Sequence, residues 1–161
     1  MISVEAFGQE AARYRAFFTN GFGADQPITD TLILRYYEPY DSTNFHVATF
    51  DLDQDGHDEI FVFEHTDCGS GGCMWRIFDL YRSRYLGSIE ASTIFIKPGK
   101  PGQYPDLDGY WKMGWEDCAI NQYKFASGTY TRSNTFYLKG PQIDAFFSKF
   151  PRTIQQGQEF R

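Results

Sequence analysis

The chain has 161 residues with 42% hydrophobic and 19% aromatic content, enough to build one domain around its own core and too apolar for a disordered segment. Its formal charge is −6, from 21 acids against 15 Lys and Arg, which excludes the basic surface of a nucleic-acid binder. No run of about 18 apolar residues occurs, so no membrane-spanning helix is expected.

Residues 3–20 read as an amphipathic helix, because Val4, Phe7, Ala11, Tyr14 and Phe18 recur at steps of three and four. Ser3 suits its start and Asn20-Gly21 its end. A short Gly-Ala-Asp-Gln-Pro linker covers 23–27. Residues 28–37 fit either a short helix capped at Thr29-Asp30 or a strand, and Pro39 closes both. Strands are then expected at 45–50, 60–65 and 74–80, rich in Phe, Val, Ile and Thr. Further strands are expected at 88–96 and 110–113, and Asn121–Phe125 with Thr129–Thr131 flank a Ser127-Gly128 hairpin turn. Short connections between neighbours imply an antiparallel meander. Pro141 opens a closing helix over 141–149, with Ile143, Phe146, Phe147 and Phe150 on its apolar side. The expected architecture is therefore one α+β domain spanning 1–161, with a sheet over 45–138 between an N-terminal and a C-terminal helix.

The most informative stretch is Asp51-Leu52-Asp53-Gln54-Asp55-Gly56-His57-Asp58-Glu59, set between two expected strands. Carboxylates recur at every second position, a glycine turns the chain, and a further acid returns. A hard cation such as Ca²⁺ takes six to eight oxygens, and this spacing can wrap them around one centre. Asp51, Asp53 and Asp55 supply the first ligands, His57 a backbone carbonyl, and Glu59 a direct or water-mediated oxygen. The twelfth loop position is Val62 rather than the glutamate of a helix-loop-helix calcium motif. Five acids within nine residues repel one another unless a cation joins them.

The second unusual stretch is Cys68-Gly69-Ser70-Gly71-Gly72-Cys73. In an oxidising compartment the default reading is a short Cys68–Cys73 disulfide closing a glycine turn. Cys118 is then left over, or pairs between chains in a homodimer. A cysteine nucleophile is the less favoured alternative, because none of His46, His57 and His65 lies in a recognisable catalytic context. Scattered histidines also lack zinc-finger spacing. Trp75, Trp111 and Trp115 suit a core, although an exposed member could anchor an interface. No basic region followed by an apolar stretch marks a secretory signal. The calcium loop and the cysteine pair nonetheless lead to an expected periplasmic location.

The strand–loop–strand element at 45–63 resembles the Asp-rich loops of FG-GAP and integrin-type repeats. Together with the cysteine turn at 68–73 and the Tyr123–Tyr130 hairpin, it resembles small exported bacterial proteins, some of which are immunity proteins blocking the amidase effectors of type VI secretion. That resemblance implies a non-enzymatic inhibitor that binds a secreted effector. The expected contact is the 67–73 loop through Asp67, Gly69, Ser70 and Gly71. The second expectation is a calcium-dependent carbohydrate or adhesion module, which would carry exposed aromatics beside the acidic loop.

Overall fold

The computed structural model describes residues 14–37 and 45–148. Strands account for 52% of these residues and helix for 11%, in a sheet curled into a half-barrel. The fold is therefore mostly β, and the expected α+β arrangement with terminal helices is corrected. Eleven strands follow in order: β1 (Ala16–Thr19), β2 (Ala24–Asp25), β3 (Phe45–Phe50), β4 (Glu59–Glu64), β5 (Cys68–Gly69), β6 (Gly72–Asp79), β7 (Arg84–Ala91), β8 (Thr93–Ile96), β9 (Leu107–Lys112), β10 (Asp117–Ala126) and β11 (Thr129–Lys139). Two short helices complete the set, α1 (Thr31–Leu34) and α2 (Pro141–Phe147). No helix among the described residues is long and apolar enough to cross a membrane.

The expected helix over 3–20 lies outside the described residues up to residue 13, and its end is strand β1, paired antiparallel with β8. The reason is two-sided burial. Phe18 and Phe17 point to opposite faces, and both are buried, in different clusters. A half-buried helix has one apolar stripe, whereas a strand covered on both faces tolerates successive apolar residues.

The sheet order is β1-β8-β9-β10-β11-β7-β6-β4-β3-β2, with β5 added beside β6. This is not a simple meander. The expected strand at 88–96 bends at Ser92, so that β7 belongs to one half of the sheet and β8 to the other. The halves meet between β7 and β11 through one parallel pair, Gly87 with Tyr130. The ambiguous 28–37 segment contains α1, capped by Asp30 Oδ1, which accepts from Leu32 N at 2.9 Å and Ile33 N at 3.3 Å. Side-chain capping satisfies donors that the first helical turn leaves orphaned.

Alternation along the strands divides the core into three clusters. The concave interior holds Phe18, Phe61, Trp75, Ile77, Ile89 and Tyr130 among others. On the outer face, α2 packs Phe146 against Phe95, Ile120 and Leu138. The segment around α1 packs Ile33 and Tyr37 against Phe45, Val62 and Phe78 on the other half. Phe18 joins the two halves of the interior, meeting Phe61 edge-on at 5.0 Å and Trp75 edge-on at 5.7 Å between ring centroids. Replacing Phe18 with Ala should therefore cost about 3–5 kcal/mol, the range for deleting a buried phenyl ring. Urea unfolding will register it as a lower midpoint with an unchanged slope. A midpoint equal to that of the wild type would mean that β1 does not close the interior.

Candidate functional site

The acidic loop connects β3 to β4, which pair in register from Phe45 with Glu64 to Phe50 with Glu59. Its turn is fixed by its own first carboxylate. Asp51 Oδ1 accepts from Asp55 N at 3.2 Å, and Oδ2 accepts from Gly56 N at 3.1 Å. Gly56 adopts φ +91°, a left-handed conformation that costs glycine little. Glu59, buried at the start of β4, reaches back to accept from Leu52 N at 2.7 Å.

The folded loop draws Asp51, Asp53 and Glu59 together, with one carboxylate oxygen from each lying within 4.8 Å of the others. Asp53 is 2% exposed, and its Oδ1 is buried without a hydrogen-bond partner. A buried carboxylate oxygen left unpaired costs free energy, and a cation placed there would remove the cost. Asp55 does not join this set. Its carboxylate pairs with the Arg82 guanidinium and accepts from His57 N. The His57 ring stacks on Tyr81 with centroids 3.8 Å apart.

A neighbouring network, not foreseen from the sequence, orients the loop. Arg82 reaches Asp53 Oδ2 at 3.2 Å and Asp79 Oδ2 at 3.1 Å, while Arg84 and Tyr104 also donate to Asp79 Oδ2. Gly102 N donates to Asp53 O at 2.6 Å, tying in the 99–103 loop. Burial pushes the Asp79 carboxyl up, but donation from Arg82 N and then from Tyr104, Arg84 and Arg82 overcomes this and leaves it at about 2. Glu59 lacks such help. Burial pushes it to about 8, despite the Leu52 hydrogen bond, and Asp53 is raised by burial and by Asp55. Five carboxylates, Asp51, Asp53, Asp55, Glu59 and Asp79, thus meet the guanidiniums of Arg82 and Arg84 with negative charge in excess.

The cysteine turn is a tight hairpin. Cys68 and Cys73 are disulfide-bonded and directly opposed on β5 and β6, and Gly69 opposes Gly72. Its tip does not project freely. Gly71 is buried against Trp111, where any Cβ would collide with the indole, and Gly71 O accepts from Lys112 N at 3.0 Å. Asp67 is half-buried and held by Arg76 at 2.7 Å, so of the four expected contact residues only Gly69 and Ser70 are exposed. Cys118 is fully buried beneath α2, and an intermolecular bridge through it would require that layer to open. Trp75 is core, whereas Trp115 is 93% exposed.

A third constellation was also unforeseen. Asp25, His46 and His65 converge, although they come from three separate segments. Strand register alone brings them together, and a register is not legible in residue spacing. No family model matches the chain, and no curated protein or solved structure matches it either.

Two expectations follow. In chelator, folded Glu59 keeps its proton up to about pH 8, whereas unfolded Glu59 releases it near 4.5. Across that window the folded state binds more protons, so stability should fall as pH rises, by up to about 1.4 kcal/mol per unit. Asp79 and Asp25, both lowered, finish titrating below the window. Urea midpoints in EDTA at pH 5, 6.5 and 8 will read this, and a midpoint rising with pH would contradict the burial argument. Separately, the non-reduced protein should offer one thiol, Cys118, which reacts with a thiol reagent only after unfolding. Two or three reactive thiols would rule out the Cys68–Cys73 bridge.

Proposed function

We propose that this chain is a calcium-stabilised binding protein that acts by presenting a fixed surface to a protein partner. The observation that carries the calcium reading is the convergence of Asp51, Asp53 and Glu59 around a buried, unpartnered Asp53 Oδ1. The donor set is all oxygen and anionic, which suits a hard cation, and a loop of this kind tolerates the larger, less regular shell of Ca²⁺ better than the strict octahedron of Mg²⁺. Asp51, Asp53 and Glu59 would hold the ion, and Arg82 would orient Asp53 from behind through its other oxygen. The ion's contribution is charge neutralisation that locks the loop.

The partner-facing edge proposed is the one where two tips meet. Gly69 and Ser70 are exposed on the disulfide-closed hairpin, which is tied through Gly71 O to Lys112. The chain from Lys112 turns at once through Met113 and Trp115, 58% and 93% exposed, with Met113 N and Gly114 N both donating to Asp117 O. An exposed tryptophan on a fixed turn is a suitable anchor, and a preorganised tip lowers the ordering cost of binding. A secreted effector enzyme of the amidase type is the partner suggested by the resemblance of the 45–63 element, the 68–73 cysteine turn and the 123–130 hairpin taken together. A carbohydrate-binding reading is favoured by one feature, Tyr81, which is 68% exposed beside the acidic loop.

Melting curves test the first half. Millimolar Ca²⁺ should raise the melting temperature relative to EDTA, Mg²⁺ should substitute poorly, and Asp53→Ala should lose most of the shift. Coincident curves for metal-free wild type with and without Ca²⁺ would end the calcium reading. The second half is tested by Trp115→Ala and Ser70→Trp, which should leave the melting temperature nearly unchanged. Either should weaken inhibition of an amidase effector at least tenfold. Undiminished inhibition by both variants would place the contact elsewhere.

A further inference from the structure

We propose that Asp25, His46 and His65 form a second metal site, selective for a borderline ion such as Zn²⁺ and independent of the acidic loop. The three residues lie at the opposite end of the β3–β4 hairpin from that loop. Asp25 on β2 is directly opposite His46 on β3. His46 is opposite Phe63 on β4, and His65 follows Phe63 by two residues, at the start of a 3-10 turn. Opposed residues in a sheet share a face, so the register converges side chains that are 19 to 40 positions apart in the sequence.

The hydrogen-bond chemistry calls for a cation at this point. His46 Nε2 lies 2.6 Å from Phe22 O, and a carbonyl can only accept, so that nitrogen carries the proton. In the neutral ring this turns the Nδ1 lone pair toward Asp25 Oδ1, 3.0 Å away. His65 Nε2 approaches the same oxygen at 2.9 Å. Two ring nitrogens and one carboxylate oxygen therefore point at a common centre, all within 4.8 Å of one another. The His46–Phe22 contact is the outer-shell arrangement that fixes a ligating imidazole's tautomer and orientation. His46 is further held by stacking on Phe63, with centroids 4.9 Å apart and an 18° interplanar angle, and by the edge of Trp75.

Two imidazoles and one carboxylate suit Zn²⁺ and are a poor set for Ca²⁺. One ligand is anchored and two are accessible, with side-chain exposures of 11% for His46, 47% for His65 and 60% for Asp25. An ion bound here would keep a fourth position open to water or to a partner's side chain.

The test is a Zn²⁺ titration of the untagged protein by calorimetry at pH 7.5, with millimolar Ca²⁺ present to occupy the acidic loop. One equivalent should bind. His65→Ala and Asp25→Asn, both at exposed positions and therefore expected to fold, should each weaken it at least tenfold. Asp53→Asn should leave it unchanged. X-ray absorption of the loaded protein should show nitrogen and oxygen neighbours at about 2.0–2.1 Å. No uptake by wild type, or equal affinity in wild type and His65→Ala, would overturn the site and leave the three residues as a proton-sharing cluster.

Discussion

The constraint on which the rest of the structure depends is the crowding of carboxylates at the closed end of the β3–β4 hairpin. Two unit charges about 4 Å apart repel by about 4 kcal/mol at the effective dielectric of a protein surface. A whole domain is stable by only about 5–15 kcal/mol. Asp51, Asp53, Asp55, Glu59 and Asp79 cannot all be ionised together without compensation on that scale. Arg82 and Arg84 provide part of it, contacting Asp53, Asp55 and Asp79. Asp51 is met by the Asp55 and Gly56 backbone N–H groups, and Glu59, which burial raises to about 8, takes a proton when no metal is bound. The same network links the acidic loop, the turn between β6 and β7, and the 99–105 loop, so charge balance and the shape of this end are one problem.

The opposite end is organised by a different economy of charge. One exposed carboxylate, Asp25, faces two imidazoles there, one of them buried on an aromatic floor of Phe63 and Trp75. That floor continues into the concave interior through Phe61 and Phe18. Both polar clusters are anchored at the ends of strands of the sheet that carries the core, Glu59, Asp79, Asp25 and His46 lying on those strands themselves. The half-barrel leaves its interior in need of cover, and β1 provides it by pairing with β8 while inserting Phe18 toward β4 and β6.

Local chemistry was legible in the sequence, and long-range pairing was not. The acidic loop could be read because its alternating acids and Gly56 are contiguous, and the folded loop does gather Asp51, Asp53 and Glu59. Asp55 departed from that reading because Arg82, 27 positions away, competes for it. The cysteine turn was legible as a bridge, but the docking of Gly71 on Trp111 depends on how β6 passes β9. Strand β1 was misread as helix because Tyr14 and Phe18 keep a four-residue step, while the adjacent Phe17 reports the two-sided burial only once β8 and α2 are known. The Asp25–His46–His65 cluster left no sequence signal beyond three ordinary residues. Its information lies in two strand registers, and a one-residue slip in either would send a side chain to the other face.

The two clusters also differ in what they would do to stability in different surroundings. A ligand that binds only the folded state stabilises it by RT ln(1 + [L]/Kd), about 2.7 kcal/mol at a hundredfold excess over Kd and about 0.4 kcal/mol when the two are equal. On the proposed calcium reading, a loop of three converging carboxylates with a net charge already partly met by Arg82 would belong to the weaker range of calcium sites, saturated by millimolar rather than submicromolar calcium. Such a loop would stabilise the fold where calcium is abundant and do little where it is scarce. The Cys68–Cys73 bridge has the same preference, since a closed disulfide persists in oxidising surroundings. The two devices sit at opposite ends of the antiparallel β4–β6 pair, the acidic loop where β4 begins beside Phe78 and the disulfide at Cys73 near the start of β6, and both strands line the interior. On the proposed calcium reading, the chain would couple two environmental dependences to one pair of strands, one acting from each end.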